Sequence, residues 1–149
     1  MNELFSNLNK KIIIYTDGGS RNNPGDAGIG VIINGKKYSK YLGIKTNNEA
    51  EYEAVIFALK KAKQLIGKKN TKSTEVEIRM DSELVCNQLN GKYKIKEKNL
   101  HPLFIEIWNL KTDFKKVEFK HIPREENKEA DKLVNLAIDN HYKQKMLGG

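Results

Sequence analysis

The sequence predicts an α/β domain, and three observations carry that expectation. Short β-branched or alternating runs at residues 12–17, 28–33, 36–44, 75–80 and 116–121 read as five strands. Asn34-Gly35 separates the second from the third, a strong signal for a two-residue antiparallel hairpin. From Thr46 onward, stripes of apolar residues at helical spacing alternate with the last two strands. The element order is three antiparallel strands, a helix, a strand, two further helices, a strand and a last helix.

Composition narrows the class. A chain of 149 residues suits one domain with a real core, and 38% hydrophobic with 31% charged residues excludes a disordered chain. The net charge of +8 favours a polyanionic partner, nucleic acid before an anionic membrane surface. Cys86 is the only cysteine, which excludes an intrachain disulfide and a cysteine zinc cluster. No run approaches a membrane span, and the amino terminus has no apolar core of signal-peptide length. A cytoplasmic, membrane-free protein is expected.

Residues 1–10 are polar and expected to be flexible. The first strand, Ile12-Ile13-Ile14-Tyr15, is short and β-branched and reads as central and buried. It is expected to end on Asp17 and break into a glycine-rich turn from Gly18 to Gly25. Thr46 and Glu49 match a capping box. The helix that follows runs to about Ile66 on a stripe of Ala54, Val55, Ala58, Leu59, Ala62, Leu65 and Ile66. Extended backward from Val55, Ala58 and Ala62, that row reaches Glu51, whereas Glu49 and Glu53 fall on other faces. An inward carboxylate costs free energy unless something pairs with it.

After a basic loop, Val76, Ile78 and Met80 share one side of strand four, which ends on Asp81, a candidate N-cap for the short helix at 82–89. Lys92, Lys94, Lys96 and Lys98 fall at every second position and share a face if extended; a solvated run is the blander account. Pro102 opens a helix to about Leu110, with Leu103, Ile107 and Leu110 or Phe104 and Trp108 facing the core. Trp108 is expected to be a core residue rather than a stacking platform. His121 ends strand five. The last helix buries Ala130, Leu133, Val134, Ala137 and Ile138, with Asp131 in its first turn, a dipole-favoured place for an acid. Residues 143–149 read as a tail.

Asp17, Glu51, Asp81 and Asp131 thus sit where they can converge. Four carboxylates at close range repel strongly, and hard divalent cations resolve that repulsion. All-oxygen ligation fits Mg²⁺ or Mn²⁺. Setting the four acids aside raises the balance of the remaining surface from +8 to +12. A basic surface around an acidic, metal-loaded pocket suits phosphodiester hydrolysis, with one ion activating water and the other steadying the leaving oxygen.

Tyr15-Thr16-Asp17-Gly18-Gly19, Thr46-Asn47-Asn48-Glu49-Ala50-Glu51-Tyr52, Met80-Asp81-Ser82, and His121 followed by Asp131 resemble a type 1 ribonuclease H, over most of the chain. The resemblance implies a single ribonuclease H domain over residues 11–142, with a five-stranded mixed sheet of order 3-2-1-4-5 flanked by helices. It implies endonucleolytic cutting of the RNA strand of RNA–DNA hybrids by two Mg²⁺ ions, with Mn²⁺ as substitute, leaving 5′-phosphate and 3′-hydroxyl ends. Double-stranded RNA is a further possible substrate, and a monomer is expected. Asp17 would bridge the metals, Asp131 complete the water-activating site, and Glu51 and Asp81 complete the other. His121 would move protons or release product from a mobile loop, and Asn127 would support the Asp131 site. Recognition of the 2′-hydroxyl would fall to Gly18, Ser20, Asn22, Asn23, Asn47 and Asn48, and a DNA phosphate pocket to Thr46. Glu83 stands where better-known members have Gln. The long basic protrusion is missing, leaving the four lysines to substitute in part, and no separate hybrid-binding domain is expected.

Other readings fit less well. A non-catalytic binding module would be favoured by a lost carboxylate, and none is lost. A proofreading-type exonuclease would carry Asp-x-Glu on its first strand, where Gly19 stands here. A transposase or resolvase is disfavoured by the Thr-Asn-Asn-x-x-Glu helix entry and the order of the four acids, and a membrane-surface protein by the lack of an amphipathic basic helix.

Overall fold

A computed structural model describes residues 10–148. The expectation of a flexible amino terminus falls on residues 1–9, outside the described residues; Lys10 already belongs to the first strand. The elements are β1 (Lys10–Ser20), β2 (Gly25–Ile33), β3 (Lys36–Lys45), α1 (Asn47–Ile66), β4 (Thr74–Met80), α2 (Glu83–Leu89), α3 (His101–Lys111), β5 (Lys116–His121) and α4 (Lys128–Gly148). They form one five-stranded sheet of order β3-β2-β1-β4-β5. The β1–β2 and β2–β3 pairs are antiparallel, and β1–β4 and β4–β5 are parallel. The expected fold and strand order are those observed.

Local chemistry explains the joints. Asn34 and Gly35 both take positive φ, 54° and 80°, as a two-residue hairpin turn requires. The capping box forms in full: Glu49 N donates to Thr46 Oγ1 at 3.1 Å, and Thr46 N donates to Glu49 Oε1 at 2.9 Å. Gly67 closes α1 at φ 88°.

Strand alternation assigns two faces. Ile14, Ile29, Val31, Val76 and Ile78 face a core filled by Tyr52, Val55 and Leu59 of α1, with Ile107 of α3. Gly28 and Gly30, between the apolar positions of β2, face α4: a Cβ at Gly30 would stand 2.1 Å from Ala130 O. Farther along that second face, Glu77 is buried against Lys11 at 3.0 Å and Arg79 Nε at 2.6 Å. Arg79 pulls the Glu77 carboxyl below its ordinary range, with Lys11 adding to the effect. No helix among the described residues is long and apolar enough to cross a membrane.

Three expectations are corrected, and two open readings, the lysine run and the Asp81 cap, are decided. β1 does not end on Asp17; it runs through Gly18 and Gly19 to Ser20, because β2 continues to pair with it as far as Ser20↔Ala27. The turn is confined to residues 21–24, and β2 begins at Gly25. Trp108 is not core but 57% exposed, because Leu103, Ile107 and Leu110 face inward and Trp108 falls beyond that stripe under Lys111 Nζ, 5.3 Å from its ring. The lysine run is not extended strand but irregular, and its four lysines are exposed on either side of half-buried Ile95. Asp81 does not cap α2: Ser82 Oγ accepts from Val85 N at 3.2 Å. Finally, α4 does not fade near Asn140. His141 stacks on Tyr41 at 3.7 Å, while Tyr41 and Tyr142 both donate to Asp26, and this docking onto β2 and β3 carries the helix on to Gly148.

Candidate active site

The sheet switches from antiparallel to parallel pairing at β1, and the carboxyl ends of β1 and β4 diverge after Tyr15↔Arg79. Such a switch point leaves a crevice where open α/β sheets bind ligands. Asp17 lies on β1 just beyond that divergence, and Asp81 immediately follows β4. Two helices close on this level from opposite faces. A Cβ on Gly18 would meet Ala50 O at 2.2 Å, so only glycine lets the first turn of α1 rest on β1 and bring Glu51 in. Gly30, the partner of Asp17 across the β1–β2 ladder, gives α4 the same approach and brings in Asp131.

The resulting cleft is lined by Asp17, Gly18, Gly19, Asn47, Asn48, Glu51, Asp81, Ser82, Arg124, Asp131 and Val134. Oxygens of Asp17, Glu51 and Asp81 all lie within 4.8 Å of one another. Asp131 shares the wall but stays exposed, outside this tight triad. Asp17 and Glu51 are both buried. The amide of Gly18 donates to Asp17 Oδ1 at 3.0 Å and Glu51 Oε1 at 2.5 Å.

That arrangement strains ionisation. Burial pushes the Glu51 carboxyl well up, and the Asp17 charge adds to it. Burial also pushes Asp17 up to about 7, opposed by the hydrogen bond from Glu51, with the charges of Asp81 and Asp131 raising it further. Asp81 is also raised by burial, while the Asn127 side chain and the charges of Arg124 and His121 pull it back and Asp131 pushes it up. Carboxylates held this close with elevated proton affinity, and with oxygen donors only, fit hard divalent cations. Asp17, Glu51 and Asp81 are the residues placed to hold one, with Asp131 beside them.

The other sequence candidates divide. Asn47 and Asn48 line the cleft, and Gly18 forms its floor. Ser20 donates to Asn47 Oδ1 from its amide at 2.8 Å and from its hydroxyl at 3.1 Å, and Asn47 N donates to Asn23 Oδ1 at 2.9 Å. Asn22 sits beside this cluster at φ 60°. Asn48 Nδ2 donates to Glu97 Oε1 at 2.8 Å, which ties the lysine segment to the rim. Thr46 lies outside the lining with its hydroxyl in the capping box, and Glu83, exposed on α2, is outside the lining as well, next to Ser82, which belongs to it. His121 is the last residue of β5 rather than part of a loop, because it pairs with Met80 and so stands next to Asp81. Asn127 is buried; its Nδ2 donates to Thr16 O at 2.9 Å, and its Oδ1 has no hydrogen-bond partner among the described residues.

Sequence reasoning missed Arg124 as part of the cleft. Its only signal was its place in the loop between His121 and Asp131, where a basic residue beside two glutamates looks like ordinary surface.

A family model described as reverse transcriptase-like matches residues 15–137. A bifunctional protein of Mycobacterium tuberculosis is 37% identical over 136 residues, a match that takes in 87% of this chain and 36% of that protein. Ribonuclease HI of Halobacterium salinarum is 35% identical over 135 residues, covering 87% of this chain and 65% of that one. Among solved structures, LC11-RNase H1 in complex with an RNA/DNA hybrid, a protein isolated from compost, superimposes with a TM-score of 0.83 at 48% identity. That match covers 88% of this chain and 99% of the other.

Proposed function

The chain belongs to the type 1 ribonuclease H family, and from that premise we propose that it hydrolyses the RNA strand of RNA–DNA hybrids, leaving 5′-phosphate and 3′-hydroxyl ends. The observation that carries this reading is the gathering of Asp17, Glu51 and Asp81 within 4.8 Å, with Asp131 in the same cleft. The likeness to a structure solved with an RNA/DNA hybrid, at 48% identity, supports the substrate.

Each residue has a task in this proposal. Asp17, between the two helices, would hold divalent ions together with Glu51 and Asp81, and Asp131 would add its carboxylate from the same wall. Mg²⁺ or Mn²⁺, when bound there, would supply Lewis-acid activation of water and charge stabilisation at the leaving oxygen. Gly18 N fixes the Asp17 and Glu51 carboxylates, and the Asn127 side chain steadies Asp81. His121, beside Asp81, accepts or returns a proton at the edge of the cleft. The Ser20–Asn47–Asn23 cluster meets the RNA strand, where amide and hydroxyl groups select for a 2′-hydroxyl. Few base contacts are available to such a site, so sequence preference is weak.

The test is a substrate panel. A short end-labelled RNA is annealed to DNA, annealed to RNA or left single, and incubated with Mg²⁺ or Mn²⁺. Internal cuts confined to the hybrid, with fragments that accept ligation at a 5′-phosphate, are expected. Cuts in both duplexes would broaden the substrate to double-stranded RNA. Binding with no cut in either metal would leave only a hybrid-binding module.

A further inference from the structure

The turn at residues 21–24, which carries the chain from β1 into β2, is held from two sides. On the cleft side, Asn23 Oδ1 accepts from Asn47 N at 2.9 Å, and Asn47 Oδ1 accepts from the amide and the hydroxyl of Ser20. On the other side, α4 holds the root of the turn. Arg21 Nη2 donates to Asp139 Oδ1 at 2.8 Å and to Asn135 Oδ1 at 3.2 Å, and the guanidinium lies 5.8 Å from the centre of the Tyr142 ring. Arg21 N donates to Asp26 O at 2.9 Å and closes the turn. The Asp26 carboxylate accepts from Tyr142 and, at 2.5 Å, from Tyr41. Asn135, Asp139 and Tyr142 are four and three residues apart, so they share one face of α4. The core does not account for that face: the buried residues of α4 are Ala130, Val134, Ala137 and Ile138, and none follows Ile138 among the described residues.

We propose that this face of α4 braces the turn from behind, and that Asp139 and Tyr142 are thereby positioning residues for the selection of an RNA strand. The proposal rests on the reading in which Ser20, Asn23 and Asn47 meet that strand. Neither Asp139 nor Tyr142 lines the cleft, so each acts through the turn. A hydrogen bond to a 2′-hydroxyl has a working range of only about 0.5 Å, and Asn23 and Asn47 stay within it only if the turn keeps its place. The contacts on Arg21 and Asp26 fix that place without occupying Asn23 or Asn47. A DNA strand has no 2′-hydroxyl, so its binding does not draw on the brace. An exposed ion pair and an exposed tyrosine hydroxyl contribute little to global stability, so loss of the brace shows in recognition before it shows in unfolding.

The experiment compares wild-type protein with the double variant Asp139→Ala/Tyr142→Phe, which removes the ion pair and the hydroxyl and keeps the aromatic ring. Hydrogen exchange in the protein without nucleic acid reads the brace itself. The amides of Ser20 and Asn47, both bonded to side chains of the cluster, are expected to exchange about fivefold faster in the variant, with Ile14 in the middle of β1 unchanged. Affinity is then measured in Ca²⁺ for a hybrid and for a DNA duplex of the same sequence, with the RNA checked on gels to be intact. The variant is expected to lose about fivefold on the hybrid, the size of one weakened hydrogen bond. It is expected to lose nothing on the DNA duplex, with a thermal midpoint within about 2 °C of wild type. Unchanged exchange at Ser20 and Asn47 would overturn the brace. Faster exchange with hybrid affinity unchanged, or with equal losses on both duplexes, would overturn the positioning role. A wild-type protein with no preference for hybrid over DNA duplex would instead overturn the reading of the turn as RNA-facing, while the exchange arm would still decide the brace.

Discussion

Asp17 carries the sharpest conflict in the molecule: it is buried where two helices meet the sheet, and the proposed chemistry needs it ionised to hold a cation. Its carboxyl is pushed up to about 7 by burial and by the charges of Asp81 and Asp131, against the ordinary value of 3.8, and burial and the Asp17 charge raise Glu51 beside it as well. For an acid whose folded pKa is raised, the folded state holds the proton more tightly than the unfolded chain. Metal-free stability is then highest below about pH 4 with respect to this group, and falls as pH rises toward 7. The linkage amounts to about 3 kcal/mol over that window, shared with Glu51. Asp81, Asp131 and Arg124 line the same pocket, and the charges of Asp81 and Asp131 act on Asp17. Urea unfolding in EDTA from pH 4 to 7.5 should show the fall, and Asp17→Asn should flatten it; an equal fall in both proteins would remove Asp17 as its source. Sequence alone marked Asp17, Glu51, Asp81 and Asp131 because two end strands, one falls on the inward row of a helix and one opens the last helix, and the order of the four then matched a family. It could not mark Arg124, whose meaning lies in a turn folded against another strand, nor predict that Trp108 would be exposed, since a helical stripe leaves its edge positions undecided.

At the level of elements, the cleft depends on two glycines that bring helices onto strands. Gly18→Ala places a methyl 2.2 Å from Ala50 O, so the start of α1 must move and Glu51 with it. The variant should lose about 2 kcal/mol of stability and most of its hybrid cleavage, although every acid remains. A Gly18→Ala protein as stable and active as wild type would contradict the close approach. Thr46→Ala tests a different question. With the hydroxyl committed to the capping box, its loss should cost about 1 kcal/mol in thermal or chemical unfolding; an unchanged stability with weakened hybrid binding would return Thr46 to a phosphate pocket. The helices, the hairpin and the capping box were legible because each rests on a local rule: Asn-Gly geometry, Thr–Glu spacing, or apolar periodicity. The end of β1 was not, because Gly18-Gly19 reads as a turn until β2 pairs with it through Ser20↔Ala27. The length of α4 was not legible either, because the stacking of His141 on Tyr41 joins residues far apart in sequence.

Across the whole molecule, a net charge of +8 includes a cleft of four acids, so the remaining residues carry +12. Charge on the outer surface attracts a phosphate backbone, and the acids refuse it until they are neutralised, so attraction and chemistry are separated in space. Lys92, Lys94 and Lys96 line one shallow groove with Tyr93, and Glu97 ties that segment to Asn48 at the cleft rim. Replacing Lys92, Lys94, Lys96 and Lys98 by Gln should lower the salt dependence of hybrid binding while leaving the cutting rate at saturating hybrid nearly unchanged; an unaltered slope would make the segment a solvated surface. The central claim is that the acid cluster does the cutting while the basic surface does the holding. It is tested most directly by the single-turnover cleavage rate of a labelled hybrid by Asp81→Asn, with hybrid affinity measured on the same sample. Loss of cleavage with affinity retained is the predicted result, and cleavage at the wild-type rate would contradict it.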